Sequence, residues 1–434
     1  MTEKTGGKGM SAFGGCPFGT SRRQLLLGLG TMAGGALSLA TGSAQAAGHP
    51  VTSAPEADSR QAEAVSFYGA HQAGVVTPRP QAGLLVSFTV VGETREDIED
   101  LFRRLTERAA FLTAGGPVAP LDPKLPPQDS GILGSDIAPD ALTITLGLGS
   151  SFFDDRDWLK AKKPKRLKTM VEFKNDALEP ELCHGDLSLQ FCANRADVNV
   201  HALRDVMKNL SDRLVIRWMQ AGDVPVVQSV GTTPKESARN FLGFRDGTAN
   251  PDAHNPDLMD KIVWVSEQHG DLPWTKGGSY QAVRIIRNFV ERWDRTPLQE
   301  QERIFGRRKV SGAPFGGKSE SDIPDYVGDP NGQLTPLESH IRRANPRTPE
   351  SEANLILRRP FNYSNGVTRS GQLDQGLLFI AYQADLDRGF ITVQNRLTGE
   401  PLEEYIKPVG GGYFFVLPGV CCPGDYLGKS LIES

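Results

Sequence analysis

Leu84–Val91 (LLVSFTVV) and the segment behind it, Glu93–Leu112, decide the fold class. The first is a short apolar run rich in Val, Phe and Thr, which suits a buried strand. The second repeats apolar residues at helical spacing beside a strongly charged face, the pattern of an amphipathic helix. Outward from this pair, Ala141–Gly147 (ALTITLG) and Asp186–Cys192 (DLSLQFC) alternate as strands. Asp197–Met219 reads as one helix with Asp197 as its cap. A similar order returns later in the chain. Gln281–Ile286 and Gly376–Tyr382 (GLLFIAY) read as strands, Asp385–Leu397 as a helix and Gly412–Leu417 (GYFFVL) as a strand. Strand–helix–strand order met twice predicts an α+β protein built from two ferredoxin-like halves.

The 434 residues carry 48 basic and 52 acidic side chains, a net charge of −4. That balance offers no electrostatic attraction to nucleic acid, so none is expected as a partner. Hydrophobic residues at 38% and charged residues at 23% fit a folded chain rather than a disordered or membrane-embedded one. The length exceeds the size at which single cores stop growing, which again points to two domains or one duplicated domain. Five cysteines are too few for a disulfide scaffold, and none lies in a CxxC pair. Sequence leaves open whether Cys183, Cys192, Cys421 and Cys422 pair with one another.

Ser21-Arg22-Arg23-Gln24-Leu25-Leu26 leads a glycine-diluted apolar run toward Ala40, followed by the small-residue pattern Ala44-Gln45-Ala46. The run is too short for a stable membrane span, which needs about 20 apolar residues. A paired arginine ahead of a mild apolar stretch and a cleavage pattern is a twin-arginine export signature. Residues 1–46 therefore read as a signal peptide, and the mature protein is expected in the periplasm, exported folded. Residues 47–64 read as a flexible lead, 65–234 as the N-terminal half and 235–434 as the C-terminal half. Within the second half, 235–275 and 306–350 are long glycine- and proline-bearing segments, where function tends to concentrate.

Three stretches in or beside those segments bear reactive side chains: GFRDGTANP (243–251), HIRRANPR (340–347) and LRRP (357–360). Taken singly, Asp246 suits a plain Asp-Gly turn, His340 a surface or core histidine, and the arginine pair a solvated edge. Together they resemble the dye-decolorizing (DyP-type) haem peroxidases. The resemblance runs from Tyr68–Gly74 (YGAHQAG) to Gly410–Phe415 (GGGYFF). It is closest to the twin-arginine-exported branch, the deferrochelatase/peroxidase members of bacterial ferrous-iron uptake systems.

The resemblance implies one haem b per chain, bound in the C-terminal half, with His340 as the proximal iron ligand. Asp246 would be the distal acid/base and Arg358 the distal cation, with Arg359 pointing elsewhere. Gly247, Thr248, Ala249, Asn345, Pro346 and Arg347 would line the haem edge. Arg307 would meet a haem propionate, a pairing that guanidinium–carboxylate chemistry favours. The implied activity is oxidation of a reducing substrate by hydrogen peroxide. The same residues would serve a deferrochelatase that frees iron from haem and leaves protoporphyrin intact, whereas a passive haem carrier needs neither Asp246 nor Arg358. A homodimer is implied as well.

Proximal histidines donate their second N–H to an acceptor. Glu404, with Glu403 close behind, is the expected partner, in the helical-looking Leu402–Tyr405. A carboxyl group titrates near about 3.9 in model peptides against about 6.5 for histidine, so an aspartate base predicts an acidic optimum for turnover. Trp158, Trp218, Trp264, Trp274 and Trp293 could relay electrons to bulky substrates, though each also suits a core.

Overall fold

The structure, a computed structural model, describes residues 63–225 and 237–434. The export signal and nearly all of the lead predicted before residue 65 lie outside them. The first half contains β1 (Ala82–Val90), α1 (Arg95–Ala114), β2 (Thr143–Gly149), β3 (Leu187–Ala193), α2 (Ala196–Leu210) and β4 (Leu214–Asp223). Its strands form an antiparallel sheet in the order β2-β3-β1-β4. A capping box starts α1: the Thr94 hydroxyl accepts from Asp97 N while the Asp97 carboxylate accepts from Thr94 N. Ile98, Leu101 and Leu105 of α1 and Val198, Ala202 and Val206 of α2 pack on Leu84, Val86 and Phe88 of β1. Each such large apolar side chain taken from water contributes about 1.5–3 kcal/mol.

The second half contains β5 (Ser279–Asn288), α3 (Leu298–Phe305), α4 (His340–Ala344), β6 (Phe361–Val367), β7 (Leu373–Gln383), α5 (Thr392–Leu397) and β8 (Ile406–Val416). Its sheet order is β8-β5-β7-β6, the order of the first half read from the other edge. The two sheets join at both ends. Phe414–Val416 of β8 pairs with Gly147–Gly149 of β2, and Asp223 of β4 pairs with Asn362 of β6. Eight strands thus close into a ring, and the α+β architecture of two ferredoxin-like halves is present.

Residues of both sheets meet in a second core that includes Leu85, Cys192, Val283, Ile380 and Phe414. A buried polar seam also ties the halves: Gln281 Nε2 donates to the Tyr382 hydroxyl (3.0 Å), which donates to Gln190 Oε1 (2.7 Å). Cys183 and Cys192 are buried free thiols in different cores. Trp218, Trp264, Trp274 and Trp293 are buried too, while Trp158 donates to the Glu93 carbonyl.

Two expected elements are corrected. Asp197–Met219 is not one helix, because α2 ends at Leu210 and the rest turns into β4. Apolar residues at 214, 215, 218 and 219 fit either period, and the ladder offered by β1 along its whole length decides for strand. Nor does Asp197 cap α2. Arg195 holds that position, and Asp197 sits in the first turn, paired with Arg195 at 2.7 Å. The helix expected at Asp385–Leu397 opens as a π turn over Asp387–Ile391, with Gly389 off helical geometry (ψ −105°), before α5.

Candidate functional site

On β5 the even-numbered residues Arg284, Ile286 and Asn288 line a cavity of about 270 Å³ on the face away from the second core. On β7 the odd-numbered Leu377 and Phe379 line it as well, as strand alternation requires. Two short helices cover it, each through one face: His340, Ile341 and Ala344 from α4, and Val393, Gln394 and Leu397 from α5. Asp246, Gly247, Thr248, Ala249, Arg307, Asn345, Arg347 and Arg358 line the same cavity, whereas Pro346 does not. The floor is anchored from the first half, where Asp176 forms a fully buried ion pair with Arg284.

Local chemistry explains how each group is held. In the Asp246 loop, Phe244 is buried and stacks on Phe305 with ring centres 4.0 Å apart, which fixes the loop to α3. Gly247 at φ 111° turns the chain immediately after Asp246, a backbone that glycine alone adopts freely. Asp246 N donates to the Ala238 carbonyl at 2.8 Å. Its carboxylate Oδ1 accepts from Arg358 Nη1 at 3.0 Å, and Oδ2 accepts no hydrogen bond among the described residues.

Arg358 lies on the two-residue strand Leu357–Arg358, paired to β7. Asn250 clasps its backbone from both sides: Arg358 N donates to Asn250 Oδ1 (2.8 Å) and Asn250 Nδ2 donates to the Arg358 carbonyl (2.9 Å). One asparagine of the GFRDGTANP loop therefore sets the distance between Asp246 and Arg358. Arg359 turns away, donating to the carbonyls of Thr77 and Pro78.

Across the cavity, α4 is tied down by its own arginines. Arg342 pairs with Asp329 at 3.1 Å and donates to the Thr335 carbonyl, and Arg343 donates to the Thr398 carbonyl. His340 is left to face the cavity. Its Nδ1 lies 2.8 and 3.0 Å from the two carboxylate oxygens of Glu400, a residue only 5% exposed. Burial works against a charged imidazole here, yet the Glu400 carboxylate outweighs it and holds the His340 pKa above the ordinary value. Among the described residues, Nε2 makes no hydrogen bond.

Glu400 corrects the expectation for this partner. Glu404 is exposed, and Glu403 Oε1 accepts from Gly399 N instead. Leu402–Tyr405 is the end of a 3₁₀ turn rather than an α-helix, and Glu403 lines the cavity without bonding His340. The available signal was Gly399-Glu400-Pro401, since a residue before proline is held extended, as Glu400 is (ψ 153°).

Glu320 was also missed. Its carboxylate accepts from Ser237, Arg245 and Thr248 Oγ1 (3.2 Å), and its carbonyl accepts from Arg307 Nη1 (3.0 Å). Burial pushes the Glu320 carboxyl up, but Ser237 and Arg245 more than offset this and leave it below the usual value. Arg307 is buried and bonded through Nη1 to two carbonyls, those of Gly312 (2.7 Å) and Glu320. Arg347 takes a left-handed backbone (φ 57°), which costs a non-glycine residue about 1 kcal/mol. Its N–H donates to Asn345 Oδ1 at 3.0 Å.

This donor set fits a haem. It offers an imidazole oriented through Nδ1 by a carboxylate, the usual arrangement of a metal-binding histidine. Arg307 and Arg347 supply cations for propionates, and Ile286, Leu377, Phe379 and Phe390 supply apolar walls. Asp246 and Arg358 belong to the same cavity as His340.

Fold and site together define a Dyp-type peroxidase. Family models for the N-terminal and C-terminal parts of Dyp-type peroxidases match residues 72–222 and 237–421, and the chain belongs to that family. It is similar to the protein named deferrochelatase of Shigella sonnei, with 55% identity over 95% of this chain and 97% of that protein. The deferrochelatase of Shigella flexneri is 54% identical over the same shares. Among solved structures, ferric DtpA from Streptomyces lividans superposes with a TM-score of 0.77 at 34% identity, covering 88% of this chain and 100% of that one. A DyP-type peroxidase from Cellulomonas bogoriensis gives 0.76 at 32% identity, covering 86% and 99%.

Proposed function

We propose that this protein is a haem b-dependent peroxidase that uses hydrogen peroxide to oxidise a reducing substrate. The observation that carries this reading is the convergence of His340, Asp246 and Arg358 on one cavity. Bound there, haem would supply redox chemistry at its iron. His340 would hold the iron through Nε2, with its ring oriented and its Nδ1 proton accepted by Glu400. Asp246 Oδ2, which accepts no hydrogen bond among the described residues, would take the proton from the inner oxygen of peroxide and return it to the outer one. Arg358, aimed by the Asn250 clasp, stabilises negative charge on the departing oxygen. Arg307 and Arg347 pair with propionates, and Gly247, Thr248, Ala249 and Asn345 bound the ring edge. An absorption spectrum before and after peroxide tests this: a Soret band that shifts supports it, and a band indifferent to peroxide overturns it.

The names of the Shigella relatives favour a second activity at the same site, removal of iron from haem with the porphyrin left intact. Metal-free porphyrin fluorescence appearing when purified protein meets haem supports that activity. Arg22-Arg23 and the small-residue pattern at 44–46 further support export in folded form to the periplasm, in service of iron acquisition. Retention in the cytoplasm of a variant with Arg22→Lys and Arg23→Lys is the expected result, and undiminished export refutes it.

A further inference from the structure

A second reactive pair lies far from His340 in the chain, where a segment near residue 420 runs beside Tyr68–His71. Pro418–Val420 runs beside Tyr68–His71, with Gly69 N donating to the Val420 carbonyl (2.8 Å) and Gly419 N to the Ala70 carbonyl (3.0 Å). Farther on, Leu427 N donates to Thr106 Oγ1 (2.9 Å), and Leu431 and Ile432 are buried. Cys421 and Cys422 fall between these two pinned points. Both thiols are exposed, and their sulfurs are 3.3 Å apart. Asp425 Oδ2 accepts from Cys421 Sγ at 3.6 Å. Its Oδ1 is itself held by Tyr426 N (2.9 Å) and Lys429 (3.3 Å). No such arrangement surrounds Cys183 or Cys192, which are buried singly.

We propose that Cys421 and Cys422 form a reversible two-electron thiol/disulfide site oxidised by a hydroperoxide, with Cys422 attacking and Cys421 resolving. The site stands apart from the haem cavity and does not depend on which reaction that cavity performs. The neighbouring sulfur, with Asp425 Oδ2 accepting from Cys421 Sγ, pushes the Cys421 thiol up, so Cys421 is assigned the resolving role and Cys422 the attack.

The Cys422 thiolate attacks the peroxide, the O–O bond breaks, and the departing oxygen takes a proton to leave as water or an alcohol. Cys422 is left as a sulfenic acid. The Cys421 sulfur then displaces the hydroxyl as a second water, its own proton leaving with it, and the S–S bond forms. In sum, two thiols lose two electrons and two protons and the peroxide gains them. Adjacent Cα atoms lie about 3.8 Å apart across a trans peptide, short of the usual disulfide span of about 4.4–6.8 Å. The closed ring is therefore strained and readily reduced, as a reversible site requires.

The test treats the reduced holoprotein with excess hydrogen peroxide, alkylates it, and maps its peptides by mass spectrometry. The peptide carrying both cysteines should escape alkylation, weigh less by two hydrogens, and regain both thiols with dithiothreitol. In Cys421→Ser, dimedone should label Cys422 several-fold more than it labels Cys421 in Cys422→Ser. Thiols that stay open to alkylation after peroxide, or a link formed between chains, overturn the site. Equal dimedone labelling of the two variants overturns the assignment of roles.

Discussion

The two halves share one strand order but treat the outer face of the sheet differently. In the first half the crossovers carry full helices, α1 with 20 residues and α2 with 15, and their apolar stripes are buried on the sheet. In the second half the crossovers are loops carrying short helices, α4 with 5 residues and α5 with 6. Two short helices cannot tile a four-stranded sheet, and the space they leave is the cavity. The same topology thus yields a solid layer or a binding site according to how much helix covers it. Loops that replace helix also bring backbone carbonyls and polar side chains to the face, which explains why the reactive groups cluster here.

The contrast can be broken first at His340. His340→Ala should lose most of its haem, measured as Soret absorbance per protein, while the fold persists in circular dichroism. Asp246→Asn should keep haem and slow its reaction with peroxide by about 10²–10⁴-fold in stopped-flow measurements. Retained speed would remove Asp246 from the chemistry. Glu400→Gln should weaken haem binding by about 10–100-fold, and Glu404→Gln should leave it unchanged. Equal effects in that pair would undo the choice of Glu400.

In the solid half the expected response is structural. Leu105→Ala in α1 should cost about 2–5 kcal/mol of unfolding free energy without altering the haem spectrum at permissive temperature. The smallest effect concerns pH. Because the Glu320 carboxyl is held below its usual value in the folded state, the stability it lends is complete above that usual value. It is lost as pH falls through the lowered one. Glu320→Gln should therefore show a shallower loss of Tm between pH 5 and pH 3 (about that span) than the parent protein; parallel curves would contradict the anchoring role.

Strand–helix alternation was readable from local pattern because β1 is a short continuous apolar run rich in β-formers and α1 keeps one helical period. The segment after Leu210 was not, because its apolar spacing satisfies two periods and β1 makes the choice. His340, Asp246 and Arg358, bland when taken singly, were marked by the joint resemblance of their three motifs to the DyP-type peroxidases. Glu400 and Glu320 stand in none. A carboxylate becomes a histidine's partner, or a loop's anchor, through where the chain folds back, and that leaves almost no mark on its neighbours in sequence.

The amino-acid order by itself determined the α+β class and pointed to a twofold repetition, since periodicity is a local property, and the resemblance of three motifs taken together marked the reactive groups. Tertiary structure alone decided that two sheets close into a ring, that short cover leaves a cavity, and which carboxylate orients the imidazole. These depend on distances between residues far apart in the chain, which local pattern does not encode.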